Sequence, residues 1–167
     1  MIINAWTCLL FLSSIDIHPP VAKKRLPVCM RVATAAHDAN LNVGLVVSLA
    51  WEESGFTERS VSSAGAIGPF QVLPRYFCPS GRRAGCDLYK AGIDAILGWN
   101  RRYPKVADTL CHYNSGNRCY KSSRNYAGRI ISRYRRIFRA EGPIRLFDHS
   151  EFAERLLVIL GSLFAPR

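Results

Sequence analysis

The chain has 167 residues, 49% of them hydrophobic and 21% charged, which excludes a disordered or low-complexity protein and suits one domain with a real core. Twenty-three Lys and Arg against twelve Asp and Glu leave a formal charge of +11. The expected partner is therefore polyanionic: nucleic acid, an anionic membrane or a bacterial wall polymer.

Residues 2–15 are mostly apolar, too short to cross a bilayer and of the length of a signal-peptide core. No positive residue precedes that core. We read the stretch as an export or membrane-associating segment. Cleavage after Leu12-Ser13-Ser14 would remove Cys8 and leave Cys29 odd; retention would let the two pair. His18-Pro19-Pro20 through Pro27, with Lys23, Lys24 and Arg25, reads as a basic, proline-punctuated linker. The expected organisation is leader and linker over 1–27, a folded body over 28–140 and an extension over 141–167.

A first helix is predicted over 28–39, with Met30, Val32, Ala33 and Ala36 at helical spacing. Asn42 is a plausible cap for a second helix over 43–54, and Gly55 suits the left-handed position beyond its end. Two acids stand near that end. Glu53 follows Ala50, Leu49 and Val46 at three, four and seven residues, an apolar neighbourhood; Glu52 follows Leu49, Ser48 and Leu45. A carboxyl on an apolar helix face resists ionisation, so its pKa rises toward that of a general acid working near neutrality. The competing reading of Glu53 is a solvated helix-end acid paired with Arg59.

Residues 57–74 carry glycines and small side chains and read as a shaped loop or short strands lining a site, followed by a basic loop over 75–85. A helix is predicted over 87–102 and a short one over 105–112, with Pro104 at its start. Residues 113–123 read as a loop. The helix over 124–139 is amphipathic: Tyr126, Ile130, Tyr134 and Ile137 form one stripe, and Arg129, Arg133 and Arg136 the opposite face. A last helix over 150–164, apolar almost throughout 156–160, reads as a docking helix or as a contact with a membrane or partner protein.

Six cysteines include no C-x-x-C pair and no Cys/His cluster of zinc spacing, so no metal site is expected. Cys78 and Cys86, and Cys111 and Cys119, each bracket seven residues and suit two local disulfides in an oxidising compartment.

Three patches carry the chemistry: Glu53-Ser54-Gly55-Phe56, the stretch from Ser62 to Pro74, and His112-Tyr113-Asn114-Ser115-Gly116, followed by the lone Tyr126. The glycines allow close backbone approach to a ligand. Gln71, Tyr113 and Asn114 offer neutral donors and acceptors suited to sugar hydroxyl and N-acetyl groups.

In order and spacing these patches resemble the catalytic domain of the soluble-type lytic transglycosylases, a lysozyme-like fold related to goose-type lysozymes. The matching residues are Glu53 and Ser54; Ser62, Gly65, Ala66, Gly68 and Gln71; Tyr113, Asn114 and Gly116; and Tyr126. The resemblance implies a mostly α single domain with little strand, and it selects Glu53 over Glu52, because the family's acid precedes Ser. It implies cleavage of the β-1,4 bond between N-acetylmuramic acid and N-acetylglucosamine in peptidoglycan. Glu53 would serve as acid and then base, giving a 1,6-anhydro product without water. Ser62, Gly65, Phe70, Gln71, Tyr113, Asn114 and Tyr126 would line the substrate groove.

Paired-carboxylate glycosidases place a second acid about 5–9.5 Å away. Glu58, Asp87 and Asp94 are the nearest in sequence, and each reads as a cap or surface charge. Pro69-Phe70 departs from the family's Leu-Met, with Phe70 expected as a wall of the sugar groove. His112, before Tyr-Asn, reads as a core or cap residue, with a groove contact as the alternative.

No cofactor and no nucleic-acid partner is implied; the basic surface would hold the enzyme on an anionic wall. The expected location is the periplasm or cell envelope, or a virion for a phage protein. The leader and the apolar extension suggest attachment to a membrane or to a secretion, conjugation or phage assembly. The rival readings are a muramidase-type hydrolase on the same fold, an inactive wall-binding component and a nucleic-acid-binding helical protein.

Overall fold

The computed structural model describes residues 2–147. The helix expected over 150–164 lies outside them. Seven α-helices are found among the described residues: α1 (Ile2–Ser13), α2 (Pro19–Asp38), α3 (Val43–Ser54), α4 (Pro74–Phe77), α5 (Leu88–Arg102), α6 (Val106–Ser115) and α7 (Lys121–Phe138), with a 3-10 turn at Pro79–Gly81. The fold is mostly helical, as expected.

The core is built around α3. Every residue from Val43 to Ala50 is buried, and α1, α2 and α7 pack against this helix. A helix apolar on all faces is stable only where neighbours cover it on all sides. Its start is tied at three points. The Asn42 carboxamide oxygen accepts from the Leu45 amide at 3.0 Å, its nitrogen donates to the Tyr134 hydroxyl at 2.8 Å, and its backbone N–H donates to the Leu146 carbonyl at 2.7 Å. Gly55 ends the helix in the left-handed conformation. Both predicted ends of this helix match.

The segment expected as a linker is helical instead. Helix α2 starts at Pro19 and runs through Lys23, Lys24, Arg25 and Pro27. Prolines in a first turn cost little, since their missing N–H groups would have no partner there. Pro27, inside the helix, is compensated by packing: Val28, Cys29, Val32, Ala33 and Ala36 are all buried. Helix α1 belongs to the same core. Phe11 is fully buried, edge-on to Trp51 and Phe56, and Cys8 is bonded to Cys29.

Residues 57–73 form a compact loop with isolated antiparallel bridges between Val61 and Ile67 and between Ile67 and Val72. Helix α6 extends past the predicted end at 112, so Tyr113 and Asn114 lie on its last turn rather than in a loop. Part of the expected basic loop over 75–85 is helical, in α4 and the 3-10 turn. The other two expected disulfides, Cys78–Cys86 and Cys111–Cys119, are both present.

Candidate active site

The two acids at the end of α3 have different surroundings. Glu52 accepts from Arg129 Nε at 2.6 Å and from Arg133 Nη2 at 2.8 Å, with its side chain only 13% exposed. Burial pushes its pKa up, but the two arginine hydrogen bonds and charges outweigh that and hold it below the usual carboxylate value. The arginine face of α7 is therefore not wholly given to solvent. Arg133 is 17% exposed and also donates to the Ser48 carbonyl at 3.4 Å.

Glu53 faces the other way. It accepts a hydrogen bond from the Tyr126 hydroxyl of α7, and the pairing with Arg59 does not form. Its pKa is pushed up to about 7. Burial is the main cause, the neighbouring charge of Glu52 adds to it, and the Tyr126 hydrogen bond opposes both. At neutral pH this carboxyl is divided between its two protonation states, as a group that must give and retrieve a proton requires.

The loop beside Glu53 is fastened at consecutive carbonyls. Ser54 Oγ donates to the Pro69 carbonyl at 2.9 Å, and Tyr113 Oη donates to the Phe70 carbonyl at 2.6 Å. Between these ties the Phe70 side chain enters the core. The expectation that Phe70 walls the sugar groove is overturned: it is fully buried and lies against Gly92 of α5. A Cβ at position 92 would stand 2.3 Å from the Phe70 ring, so only glycine admits it. The aromatic ring anchors the loop; its carbonyl is the group turned to the site. Gly68 is comparably constrained, with φ +75° and the Leu88 side chain 2.7 Å from where a Cβ would sit.

Gln71 adopts φ +47°, and its amide nitrogen donates to the Gly68 and Ser60 carbonyls at 2.9 and 3.3 Å. The donors expected to meet a sugar thus brace the loop. Ser62 likewise serves the loop, its Oγ accepting from the Ala66 amide at 3.0 Å. Gly65 is exposed at the turn that follows.

His112 takes the core and cap role. Its Nδ1 donates to the Gly116 carbonyl at 2.7 Å, and its ring stacks on Tyr103 with centroids 3.6 Å apart. Tyr113 is half-buried; desolvation of its phenol, and then the charge of Glu53, raise its pKa, so it keeps its proton well beyond neutral pH. It also lines a cleft of about 590 Å³ with Asn114, Trp99, Arg102, Arg75 and Tyr76. The last four are contributions that sequence spacing did not reveal, because they come from α4 and α5 and meet Tyr113 only on folding.

The other acids weighed from sequence are committed elsewhere. Glu58 pairs with Arg31 and accepts from Tyr89 Oη at 3.3 Å, Asp87 caps α5, and Asp94 pairs with Lys90 at 2.6 Å.

The arrangement is one half-buried acid governed by a tyrosine from a distant helix, beside a loop clamped from two sides, with a cleft of aromatic, neutral and arginine side chains at Tyr113. Against known proteins, no curated protein and no solved structure matches the chain. The model of the family described as "Transglycosylase SLT domain" matches residues 30–133, a span that contains Glu53, the clamped loop, Tyr113, Asn114 and Tyr126. This match covers most of the chain and all the patches read from sequence, and the chain accordingly belongs to the transglycosylase SLT domain family.

Proposed function

We propose that this protein is a peptidoglycan lytic transglycosylase with Glu53 as its acid and base. The observation that carries the reading is the state of Glu53: a desolvated carboxyl with a pKa near 7 under a tyrosine hydroxyl. Protonated Glu53 gives its proton to the glycosidic oxygen as the bond from C1 of N-acetylmuramic acid breaks. The resulting carboxylate, stabilised by the Tyr126 hydroxyl, takes the proton of the C6 hydroxyl as O6 bonds to C1. The products are a 4-hydroxyl on N-acetylglucosamine and a 1,6-anhydro ring. No water is consumed and Glu53 ends protonated. Commitment of Glu58, Asp87 and Asp94 to other partners supports a route without a second protein carboxylate.

Tyr113 and Asn114 would meet the sugars, together with the Gln71 amide oxygen. Ser62 and Gly65 would contribute through the shape of their turn. Three disulfides support an oxidising location, in the periplasm or cell envelope or on a virion. Protein recovered from the envelope fraction should resist thiol alkylation until reduced; six reactive thiols would refute that location.

Digestion of purified peptidoglycan tests the reaction. Wild type should release muropeptides lighter by one water than hydrolysed ones, and Glu53→Gln should release them at least about 100-fold more slowly. Hydrated ends would instead make the protein a muramidase. Wall binding without products from either protein would make it an inactive adaptor.

A further inference from the structure

The cleft beside Tyr113 and Asn114 holds more than a neutral saccharide needs. Across from them stand two guanidinium groups, each held on an aromatic face: Arg75 lies 4.7 Å from the Tyr76 ring centroid and Arg102 lies 5.6 Å from that of Trp99. Neither arginine pairs with a carboxylate among the described residues, unlike Arg31, Arg129 and Arg133. Tyr76 is 66% exposed, an unusual position for an aromatic side chain that packs no core. Both walls are stapled. Cys78–Cys86 closes the chain just after Arg75 and Tyr76, and Cys111–Cys119 closes the turn that carries Tyr113 and Asn114. Stacking and stapling lower the entropy lost when a ligand engages these side chains, and they leave the N–H edges of both guanidiniums open to accept a planar anion.

We propose that this end of the cleft is a subsite for carboxylates of the acidic stem peptide carried on muramic acid, so that peptide-bearing glycan is preferred over bare glycan. The inference rests on the saccharide reading of the neighbouring site. Sugar rings meet Tyr113 and Asn114, and the peptide leaving the muramic lactyl group extends over Trp99 and Tyr76. Its carboxylates then face Arg102 and Arg75.

The test uses full-length Glu53→Gln protein, titrated calorimetrically with a disaccharide carrying an acidic stem tetrapeptide and with the same disaccharide lacking it. The peptide-bearing ligand should bind about tenfold tighter, as charge-assisted hydrogen bonds warrant, and rising salt should erode the advantage. Adding Arg75→Gln and Arg102→Gln, both at exposed positions, should collapse the ratio to about one. Far-ultraviolet circular dichroism should be unchanged. Equal affinity for the two ligands, or a preference that survives in the double variant, would overturn the subsite while leaving the saccharide reading intact. Binding of neither ligand, with no wall products from wild type, would overturn both. Inorganic phosphate competing as well as free stem peptide would reassign the arginines to a phosphate-bearing ligand.

Discussion

Glu52 and Glu53 are adjacent on one helix and differ in burial and in what α7 sets against them. Glu52 meets two guanidiniums and is held ionised; Glu53 meets a phenol and buried surface and is held near half-protonation at neutral pH. Successive helical residues point about 100° apart, so one turn of α3 presents two carboxyls to two environments. The charged pair fastens α3 to α7, and the same fastening brings Tyr126 onto Glu53. Glu52 also acts across the gap, its negative charge raising the pKa of its neighbour.

The sharpest break in this pairing is Glu53→Gln, which should lower turnover by about 10²- to 10⁴-fold, the range for loss of a general acid. It should also stabilise the fold. Because the folded pKa of Glu53 is raised, from 4.5 to about 7, the native state is favoured below pH 4.5 and loses stability as pH rises through 7. The variant escapes that loss, and should be more stable by about 3 kcal/mol at pH 8. Urea unfolding at pH 4 and pH 8 would read the difference; an equal effect at both values contradicts the burial account.

Tyr126→Phe removes the hydrogen bond that holds the Glu53 pKa down. Turnover should fall by about 10- to 100-fold, as loss of a bond to a charged group implies. The alkaline limb of kcat/KM, expected near pH 7 in wild type, should move to higher pH. A shift to lower pH would show that the phenol does not stabilise the carboxylate.

Glu52→Gln acts mainly on stability. It leaves the half-buried Arg133 without its carboxylate and should cost about 1–3 kcal/mol, discounted for the exposed Arg129. Glu52 has a lowered pKa, so its contribution is present above pH 4.5 and is lost as pH falls. That is the opposite sign to Glu53. The variant should also move the alkaline limb of kcat/KM to lower pH, since one raising influence on Glu53 is gone. Opposite limb shifts in Tyr126→Phe and Glu52→Gln are the closest test of the comparison.

The smallest effect on the two acids themselves is expected from Cys78→Ser with Cys86→Ser. Opening this short loop should cost about 2–3 kcal/mol in the chain-entropy picture. It should raise KM more than it lowers kcat, because it loosens a cleft wall and leaves Glu53 and Tyr126 in place. A fall confined to kcat would argue that the staple serves the acid instead.

Local rules made much of this protein legible. The ends of α3 follow from Asn42 and Gly55, the start of α5 from Asp87 and the buried stripe of α7 from its spacing, because caps and periodicity act within a few residues. The elevated pKa of Glu53 was also visible as an acid following Val46, Leu49 and Ala50. What folding alone decided involves partners far apart in the chain. Glu52 meets arginines 77 and 81 residues away, Tyr126 reaches Glu53 across 73, and Tyr113 reaches the Phe70 carbonyl across 43. Phe70 turned from groove wall to core anchor because Gly92, on another helix, vacates the space for its ring. The residues near Pro27 became helix because Cys8, Phe11 and α3 supply packing that offsets an interior proline. Composition and spacing identify groups able to carry a proton or shape a loop. Which of two neighbouring carboxyls does so is set by desolvation and by the charges brought against it, and these exist only once the helices have packed.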